Sequence, residues 1–404
     1  MKPPARALPI ADFTLVSALG AGRRATLAAL RASHTGLARR DFESAALGTW
    51  LGVVEGIADT RLAPALAAYD CRNNRLAELG LRADGFAASA RRAAQRWGVA
   101  RVGVFLGTST SGILQTELAY RRREPASGAL PADLHFAHTH DTYSVAAYVR
   151  AALGLRGPAH VVSTACSSSA KVFAAAARMI ELGVVDAAVV GGVDSLCMTT
   201  LYGFKSLELL SADICRPWDA ARAGLSIGEA AAFALLEREP AAAAAAAPPA
   251  GWLLGAGESS DGHHMSSAHP EGAGAAAAMQ AALAQAGLAP GAVDYLNLHG
   301  TGTLGNDAAE DRAVCAVFGR ALPCSSTKGF TGHTLGAAGG VEAAICLLAL
   351  QHGLIPAGLN LQQPDPALAA GYVRQARAQV LKVVASNSFG FGGSNACLLF
   401  GAAA

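Results

Sequence analysis

The stretch HVVSTACSSSAKVFAAAARMIELGVVDAAVVGGVDS, residues 160–195, contains the pattern that decides the fold. It begins with a short β-branched run, continues with apolar residues at three- and four-residue spacing over 167–183, and ends with an apolar run at 187–195. These patterns predict a strand, an amphipathic helix and a second, buried strand. Alternation of this kind is typical of α/β folds with mostly parallel sheets.

The same alternation is found on both sides of an Ala run bounded by prolines, EREPAAAAAAAPPAG at 237–251. Such a segment is typical of a linker or a surface helix between two units. We therefore expect two similar halves, residues 1–240 and 251–404. Further strands with polar tips are predicted at Val102–Ser109, Val293–Gly300, Pro323–Gly329 and Lys382–Gly390. Sites in α/β sheets usually assemble at such strand ends.

Composition excludes several classes of function. The chain has 404 residues, of which 52% are hydrophobic and 15% charged, and its net charge of +2 gives no electrostatic signature for nucleic acid. Uninterrupted apolar runs fall short of the roughly 20 residues that a membrane span needs. We expect an enzyme-sized globular protein that binds neither nucleic acid nor a membrane.

Eight cysteines are scattered through the chain without a CxxC pair. The first residues, MKPPARALPIADF, lack the apolar segment of a signal peptide. These features predict a cytoplasmic protein with reduced thiols.

Cys166 is the cysteine with a distinctive position, because it lies where a strand gives way to a helix. The unpaired N–H groups and the positive end of the helix dipole then face its sulfur, which is expected to lower the thiol pKa. The residues alone leave open a packed structural cysteine.

Two histidines are predicted at strand tips in the second half. His299 opens HGTGTLGNDAAED, and His333 lies within SSTKGFTGHTLGAAGGVEAA. Either histidine alone could simply brace its loop.

Taken together, TACSSSA, VVGGVDS, the two histidine segments and the C-terminal run NSFGFGGSNACLLF resemble the β-ketoacyl synthase family, in its elongating Cys-His-His form within the thiolase superfamily. The resemblance extends from about Val102 to Phe400. It implies an α/β, thiolase-like fold, in which two similar halves with mixed five-stranded sheets stack in an α/β/α/β/α arrangement.

The resemblance also implies roles for individual residues. Cys166 would take an acyl group from a carrier-protein thioester, and its own N–H would form part of an oxyanion hole. His299 and His333 would donate hydrogen bonds to the enolate oxygen left by decarboxylation of a malonyl thioester. Lys328 and Glu342 would support that site, although such a pair could also be an ordinary buried ion pair.

Four further positions follow from the same resemblance. The N–H of Phe391 would complete the oxyanion hole while its ring gates the acyl pocket, and Phe389 would lie behind it. Thr301 and Thr303 would bind the phosphopantetheine arm of the carrier protein. Thr110 falls where elongating synthases often place a larger residue in the acyl pocket across the dimer, which would widen the pocket.

The implied function is decarboxylative Claisen condensation of an acyl thioester with malonyl-[acyl-carrier-protein] in fatty acid or polyketide chain elongation. No cofactor or metal is expected, since the substrates arrive on the phosphopantetheine arm of acyl carrier protein. The expected partners are that carrier protein and a second subunit, in a homodimer or in a heterodimer with a related ketosynthase-like chain. Ala223 and Ser226 depart from the common pattern, which favours a divergent branch serving a specialised polyketide or aryl-polyene pathway.

Three other functions compete with this interpretation. A thiolase or an initiating synthase would use Cys with one His and a second Cys or an Asn, and His333 argues against both. A non-catalytic chain-length partner typically lacks the nucleophile that Cys166 supplies, and a cysteine hydrolase would not need two histidine tips. For the cluster His135, His138 and His140, no carboxylate or cysteine pattern except Asp141 completes a ligand set, which favours a solvated loop over a metal site.

Overall fold

The structure is a computed structural model that describes residues 7–238 and 248–403. Its strands are β1 (Leu8–Ser17), β2 (Gly20–Ala21), β3 (Ala38–Arg39), β4 (Trp50–Gly52), β5 (Val102–Gly107), β6 (Ala159–Val162), β7 (Ala187–Asp194), β8 (Ile227–Gly228), β9 (Ala230–Glu237), β10 (Gly251–Ser260), β11 (Tyr295–Asn297), β12 (Pro323–Ser325), β13 (Leu354–Ile355), β14 (Gly371–Tyr372), β15 (Arg377–Ala378), β16 (Val383–Gly390) and β17 (Ser394–Gly401). Its helices are α1 (Gly22–Ala32), α2 (Arg72–Arg82), α3 (Phe86–Trp97), α4 (Ile113–Arg121), α5 (Phe136–Thr139), α6 (Ser144–Leu153), α7 (Ser168–Glu181), α8 (Met198–Ser206), α9 (Ala273–Ala286), α10 (Leu304–Phe318), α11 (Lys328–Thr331) and α12 (Ala338–His352).

The first half contains a mixed sheet of five main strands in the order β6-β5-β7-β9-β1. Strands β5, β6 and β7 are parallel, whereas β9 runs antiparallel to β7 and β1 runs antiparallel to β9. Strand β5 is completely buried, as expected for a parallel strand that helices cover on both faces.

The second half repeats this pattern in the order β10-β17-β16-β11-β12, with the two-residue β14 at its edge. Here β11, β12 and β16 are parallel, and β17 is antiparallel to β16 and to β10. A short antiparallel pairing of β1 with β10, from Leu8–Leu253 to Ile10–Gly251, joins the two halves into one hydrogen-bonded path. The predicted pair of similar mixed sheets is confirmed, and this short connection is an addition to it.

Helices form the remaining layers. Helices α7 and α12 contact each other and strands of both halves, so they lie between the sheets. Helices α2, α3 and α6 cover the outer face of the first sheet, and α9 covers that of the second with α10 against it. The order is therefore α/β/α/β/α, in agreement with the thiolase-like fold expected from the sequence.

The central position of α12 follows from its sequence. Every residue from Ala338 to Leu350 is buried, and the helix carries apolar residues on all of its sides rather than along one face. The segment Leu335–His352 is the one helix in the described residues that is long and apolar enough to cross a membrane, and 89% of it is buried in the fold. A core helix of a globular protein has these properties.

The predicted strands are present, but most of them end before their predicted polar tips; β16, which keeps strand geometry to Gly390, is the exception. The run at 160–166 leaves strand geometry after Val162, and the run at 323–329 does so after Ser325. Beyond these points the backbone turns, which frees N–H groups and side chains to face a common cavity. The expected division of the halves falls between Glu237, where β9 ends, and Gly251, where β10 begins; residues 239–247 of the predicted linker lie outside the described residues.

Candidate active site

Cys166 lies in a sharp turn between β6 and α7. Ala165 has a φ of +52°, a left-handed conformation that is costly for a residue with a side chain and is typical of functional turns. The turn continues as a 3₁₀ segment, Ala165–Ser167, that leads directly into α7. The sulfur therefore lies at the N-terminal end of a helix, as the sequence predicted, and Cys166 is only 5% exposed.

The structure brings Cys166, His299 and His333 together. His333 Nε2 lies 3.0 Å from the Cys166 sulfur, and the centroids of the two imidazole rings are 5.3 Å apart. The sulfur and one nitrogen of each ring all lie within 4.8 Å of one another. Three strand tips from both halves thus meet at one point.

The tautomer of His333 is fixed by its own loop. The backbone N–H of Leu335 donates to His333 Nδ1 at 3.3 Å, so Nδ1 must carry the lone pair and Nε2 the proton. Leu335 adopts a φ of +55°, which turns its N–H back towards the ring. His333 therefore presents an N–H donor to the sulfur and to the space in front of it.

A buried cation fixes the tautomer of His299 in the same way. Lys328 Nζ lies 3.3 Å from His299 Nδ1 and also donates to the carbonyl oxygen of His299 and to Glu342. An ammonium group can only donate, so Nδ1 of His299 accepts and Nε2 keeps its proton. Lys328 and Glu342 thus lie behind the histidine and orient it.

Both histidines are neutral donors. Burial, reinforced by the positive charge of Lys328, holds the pKa of His299 and of His333 well below the usual range of an imidazole. Burial raises the pKa of Glu342 to about 7, against the opposing effect of Lys328. At neutral pH the site therefore offers two uncharged N–H groups.

The pKa of the Cys166 thiol differs from the expectation. Burial raises the pKa of Cys166 to about 12, although the charge of Lys328 and the backbone N–H of Phe391 both lower it. The position at a helix N-terminus predicted a low pKa, and this prediction is wrong for the resting site because removal from water outweighs those contributions. The resting residue is a thiol, and its proton must leave during the reaction.

The glycine-rich turn after β16 closes the site from the other side. The 3₁₀ segment Phe391–Gly393 places the N–H of Phe391 against the Cys166 sulfur. The Phe391 ring packs on the Phe204 ring, and their centroids are 5.5 Å apart. The Phe389 ring lies 5.7 Å from that of His299. Gly392 has a φ of +81°, and its N–H donates to the carbonyl of Met265 at 2.7 Å.

A cavity of about 370 Å³ leads from the surface to these residues. Cys166, His299 and His333 form its inner end, and Thr301 and Thr303 line its wall, with their hydroxyl oxygens 2.9 Å apart. The lining also includes a set of residues that the sequence reasoning did not assign to the site: Phe204, Glu208, Leu304, Asn306 and Asn395. The loop at 261–268, which includes the DGHHMSS segment, contributes four lining residues.

Three predicted positions do not line this cavity: Lys328 and Glu342, which lie behind His299, and Thr110. The Thr110 side chain is buried, and its hydroxyl donates to Asp194 at 2.9 Å. Sequence reasoning missed Asp194, although the carboxylate at the end of the quoted run VVGGVDS is a polar tip like the others.

Two sets of residues bear on metal binding. His140 Nδ1 lies 2.8 Å from the Thr116 hydroxyl and its ring stacks on Phe136, while His138 packs on Tyr69. Within residues 7–238 and 248–403, the group formed by Cys166 and the two active-site histidines is the only one with metal-ligand spacing. Its histidines present protonated Nε2 atoms, which suits hydrogen-bond donation and not ligation.

Comparison with known proteins adds family evidence. Residues 78–242 match the family described as "Beta-ketoacyl synthase, N-terminal domain", and residues 250–362 match "Beta-ketoacyl synthase, C-terminal domain". The chain is 39% identical over 262 residues to the mitochondrial 3-oxoacyl-[acyl-carrier-protein] synthase of Arabidopsis thaliana, an alignment that spans 61% of this chain and 57% of the plant protein. It is 33% identical over 314 residues to 3-oxoacyl-[acyl-carrier-protein] synthase 2 of Vibrio cholerae, spanning 74% and 76% of the two chains.

Among solved structures, the complex of a ketosynthase (ApeO) with its chain length factor (ApeC) from Xenorhabdus doucetiae contains a similar chain. The TM-score is 0.88 at 36% identity, and the alignment covers 100% of both chains.

Proposed function

The chain belongs to the β-ketoacyl synthase family, and we propose that it acts as a β-ketoacyl-[acyl-carrier-protein] synthase that elongates acyl chains by decarboxylative Claisen condensation. The observation that carries this proposal is the convergence of one thiol and two neutral imidazole N–H donors at the inner end of a single cavity. A nucleophile and an anion-stabilising pair are the two functions that this condensation needs.

In the first step the Cys166 sulfur attacks the carbonyl carbon of an acyl thioester. The negative oxygen of the tetrahedral intermediate is stabilised by backbone N–H groups, of which that of Phe391 already faces the sulfur. The bond to the pantetheine sulfur breaks, and the proton from Cys166 ends on that leaving thiol. The acyl group is now held on the enzyme and the carrier leaves.

In the second step a malonyl thioester enters the same cavity and loses carbon dioxide. The electron pair of the broken C–C bond forms an enolate, whose oxygen accepts hydrogen bonds from Nε2 of His299 and of His333. The enolate carbon then attacks the acyl carbonyl, and Cys166 leaves as thiolate stabilised by His333 Nε2 at 3.0 Å. The chemistry proposed requires neither a metal nor a redox cofactor, because both carbon fragments arrive as thioesters.

We propose acyl carrier protein as the donor of both fragments. The paired hydroxyls of Thr301 and Thr303 line the same cavity as the two histidines, where they can bond an amide-containing arm. Both relatives named above are 3-oxoacyl-[acyl-carrier-protein] synthases, whose names identify acyl carrier protein as the substrate carrier.

We further propose that a second ketosynthase-like chain pairs with this one along β6. This strand is the edge of the first sheet, and its residues are partly exposed although β5 beside it is fully buried. An open apolar edge is a template for another strand. Helix α6 packs against β6, and α5 packs against α6. Two exposed aromatic residues lie on these helices: Phe136 begins α5, and Tyr143 directly precedes α6.

The similarity to a chain of the complex between the ketosynthase ApeO and its chain length factor supports a related subunit as that partner. We also propose a specialised polyketide branch rather than housekeeping fatty acid synthesis, and the departures from the common pattern at Ala223 and Ser226 support it. A role as the non-catalytic subunit itself is disfavoured, because Cys166 and both histidines are present and correctly oriented. The eight free cysteines support a reducing, cytoplasmic location.

The experiment combines purified protein with malonyl-[acyl-carrier-protein] and a panel of acyl-carrier donors, and measures product masses. We expect products longer by two carbons. Cys166→Ala should give none, whereas Cys315→Ala, which alters a partly exposed cysteine of α10, should behave as wild type. Hydrolysis of the acyl donor without elongation would contradict the proposal and favour a cysteine hydrolase.

A further inference from the structure

Asp194, the last residue of β7, has a fully buried carboxylate that joins the two halves at the active site. On the side of the first half it accepts hydrogen bonds from the tip of β5, including the N–H of Thr110 at 3.0 Å and the hydroxyl of Ser109 at 2.7 Å. On the side of the second half it accepts the N–H of Gly336 at 2.6 Å. The residue therefore fixes the loop that follows His333.

The fit at this contact is tight. A Cβ at position 336 would lie 2.6 Å from both Asp194 Oδ2 and the Ser109 nitrogen, so a side chain there would displace the loop. Both carboxylate oxygens face donors, and only an acceptor-only group can satisfy all of them. An amide of the same shape would place its own N–H groups against some of those donors.

The neighbouring residue connects this contact to the chemistry. Leu335 is held at a φ of +55°, which costs on the order of 1 kcal/mol for a residue with a side chain. In this conformation its N–H donates to His333 Nδ1, and the next N–H in the chain is the one that Asp194 accepts. The carboxylate thus opposes relaxation of the strained residue that selects the His333 tautomer.

We propose that Asp194 is a positioning residue for the decarboxylation step, which acts through Gly336 and Leu335 to keep the proton of His333 on Nε2. This inference rests on the function proposed above. Thr110, expected in the acyl pocket, is by this reasoning part of the same contact, which ties the β5 tip to the histidine loop.

The test uses two variants that disturb the contact differently. Asp194→Asn replaces one acceptor by a donor, and Gly336→Ala keeps the carboxylate but inserts a methyl group into the contact. We expect each to slow carbon dioxide release from malonyl-[acyl-carrier-protein] about 10-fold to 100-fold, the usual effect of losing a group that orients a functional histidine. The KM for that substrate should stay unchanged.

The matched control is Asp186→Asn, just before the other end of β7, which loses an ion pair with Arg101. It should lower stability without changing the decarboxylation rate. Selective ¹⁵N labelling of histidine, with His333 assigned by its absence in His333→Ala, reports which ring nitrogen carries the proton. In both test variants the His333 signal should lose its Nε2-protonated character, an effect that a merely structural role would not produce.

Folded variants that keep the wild-type rate, or that lose rate with an unchanged His333 signal, would overturn the proposal. If Asp194→Asn does not fold, Ser109→Ala removes only one hydroxyl from the contact and should produce a smaller change in the same direction. If the wild-type protein releases no carbon dioxide, the proposed function fails instead, and the histidine signals still decide whether Asp194 sets the tautomer.

Discussion

The two active-site histidines should make unequal contributions to the loading of Cys166, although they contribute equally to decarboxylation. His333 Nε2 lies 3.0 Å from the sulfur and donates to it, whereas His299 is held by Lys328 and faces the space in front of the sulfur. The perturbation is His299→Ala compared with His333→Ala.

The expected magnitudes follow from the bonds that each variant loses. A hydrogen bond to a charged group contributes about 1.5–3 kcal/mol, which corresponds to about 10-fold to 150-fold in rate. His333→Ala should slow acylation of Cys166 by that factor, because the attacking sulfur loses its donor while its pKa is raised to about 12 by burial. His299→Ala should slow acylation by no more than a few-fold. Each variant should slow decarboxylation about 100-fold to 1,000-fold, since each removes one donor to the enolate oxygen.

The assay measures single-turnover mass labelling of Cys166 by an acyl-carrier donor and, in parallel, carbon dioxide release from malonyl-[acyl-carrier-protein]. His352→Ala, on the exposed end of α12, is the control and should match wild type in both rates. Equal loss of labelling in the two active-site variants would refute the assignment of separate contacts. Unchanged labelling in His333→Ala would show that the helix N-terminus and the Phe391 N–H stabilise the thiolate without it.

Three further outcomes follow from the same structure. Cys166→Ala should abolish acyl transfer but keep carbon dioxide release from malonyl-[acyl-carrier-protein], because the enolate donors remain; loss of both activities in a folded variant would contradict this. Replacing Thr301 and Thr303 by Val should raise the KM for carrier-bound substrate about 2-fold to 10-fold per residue with little change in kcat, at about 0.5–1.5 kcal/mol per hydrogen bond; an effect confined to kcat would remove them from arm binding. Glu310 of α10 is buried and accepts the backbone N–H groups of His299 and Gly300. Burial raises its pKa from 4.5 to about 7, so its contribution of up to about 3 kcal/mol to the free energy of unfolding is present below pH 4.5 and lost as pH rises through 7. Denaturant titrations at pH 5 and pH 7.5 should show this loss in wild type and not in Glu310→Gln. An equal change in the free energy of unfolding between the two pH values in both proteins would contradict it.

The fold could be predicted from the sequence because the hydrophobic periodicity of each element, and the order of the elements along the chain, are local properties of the sequence. The strand–helix–strand run at 160–195 predicted α7 and β7 to within about two residues at each end, and it predicted β6 at its start but four residues too long at its end; the repeated alternation predicted two similar sheets. The short pairing of β1 with β10 was not predictable, since three residue pairs leave no periodic signal.

The active site could be predicted only in part, because only some of its residues belong to local sequence patterns. Cys166 and the two histidines belong to motifs at strand tips, where sites usually assemble, but each was ambiguous alone, and the resemblance to the β-ketoacyl synthase family is what implied that they act together. The Asp194 contact depends on the approach of Gly336 from the other half, 142 residues later in the chain, and no sequence pattern encodes that distance.

The Cys166 pKa shows why position and environment must be considered together. A helix N-terminus and a nearby ammonium favour the thiolate, and both are present, yet the resting thiol is harder to ionise than a free cysteine because it is 5% exposed. The burial that raises this pKa also keeps both imidazoles uncharged and strengthens their hydrogen bonds to a developing enolate. A site in which the thiolate ionises freely would need more water, and water would weaken the hydrogen bonds that the neutral imidazoles donate. The geometry therefore favours the condensation step, and it leaves the acyl transfer step to be driven by the thiol leaving group that takes up the proton.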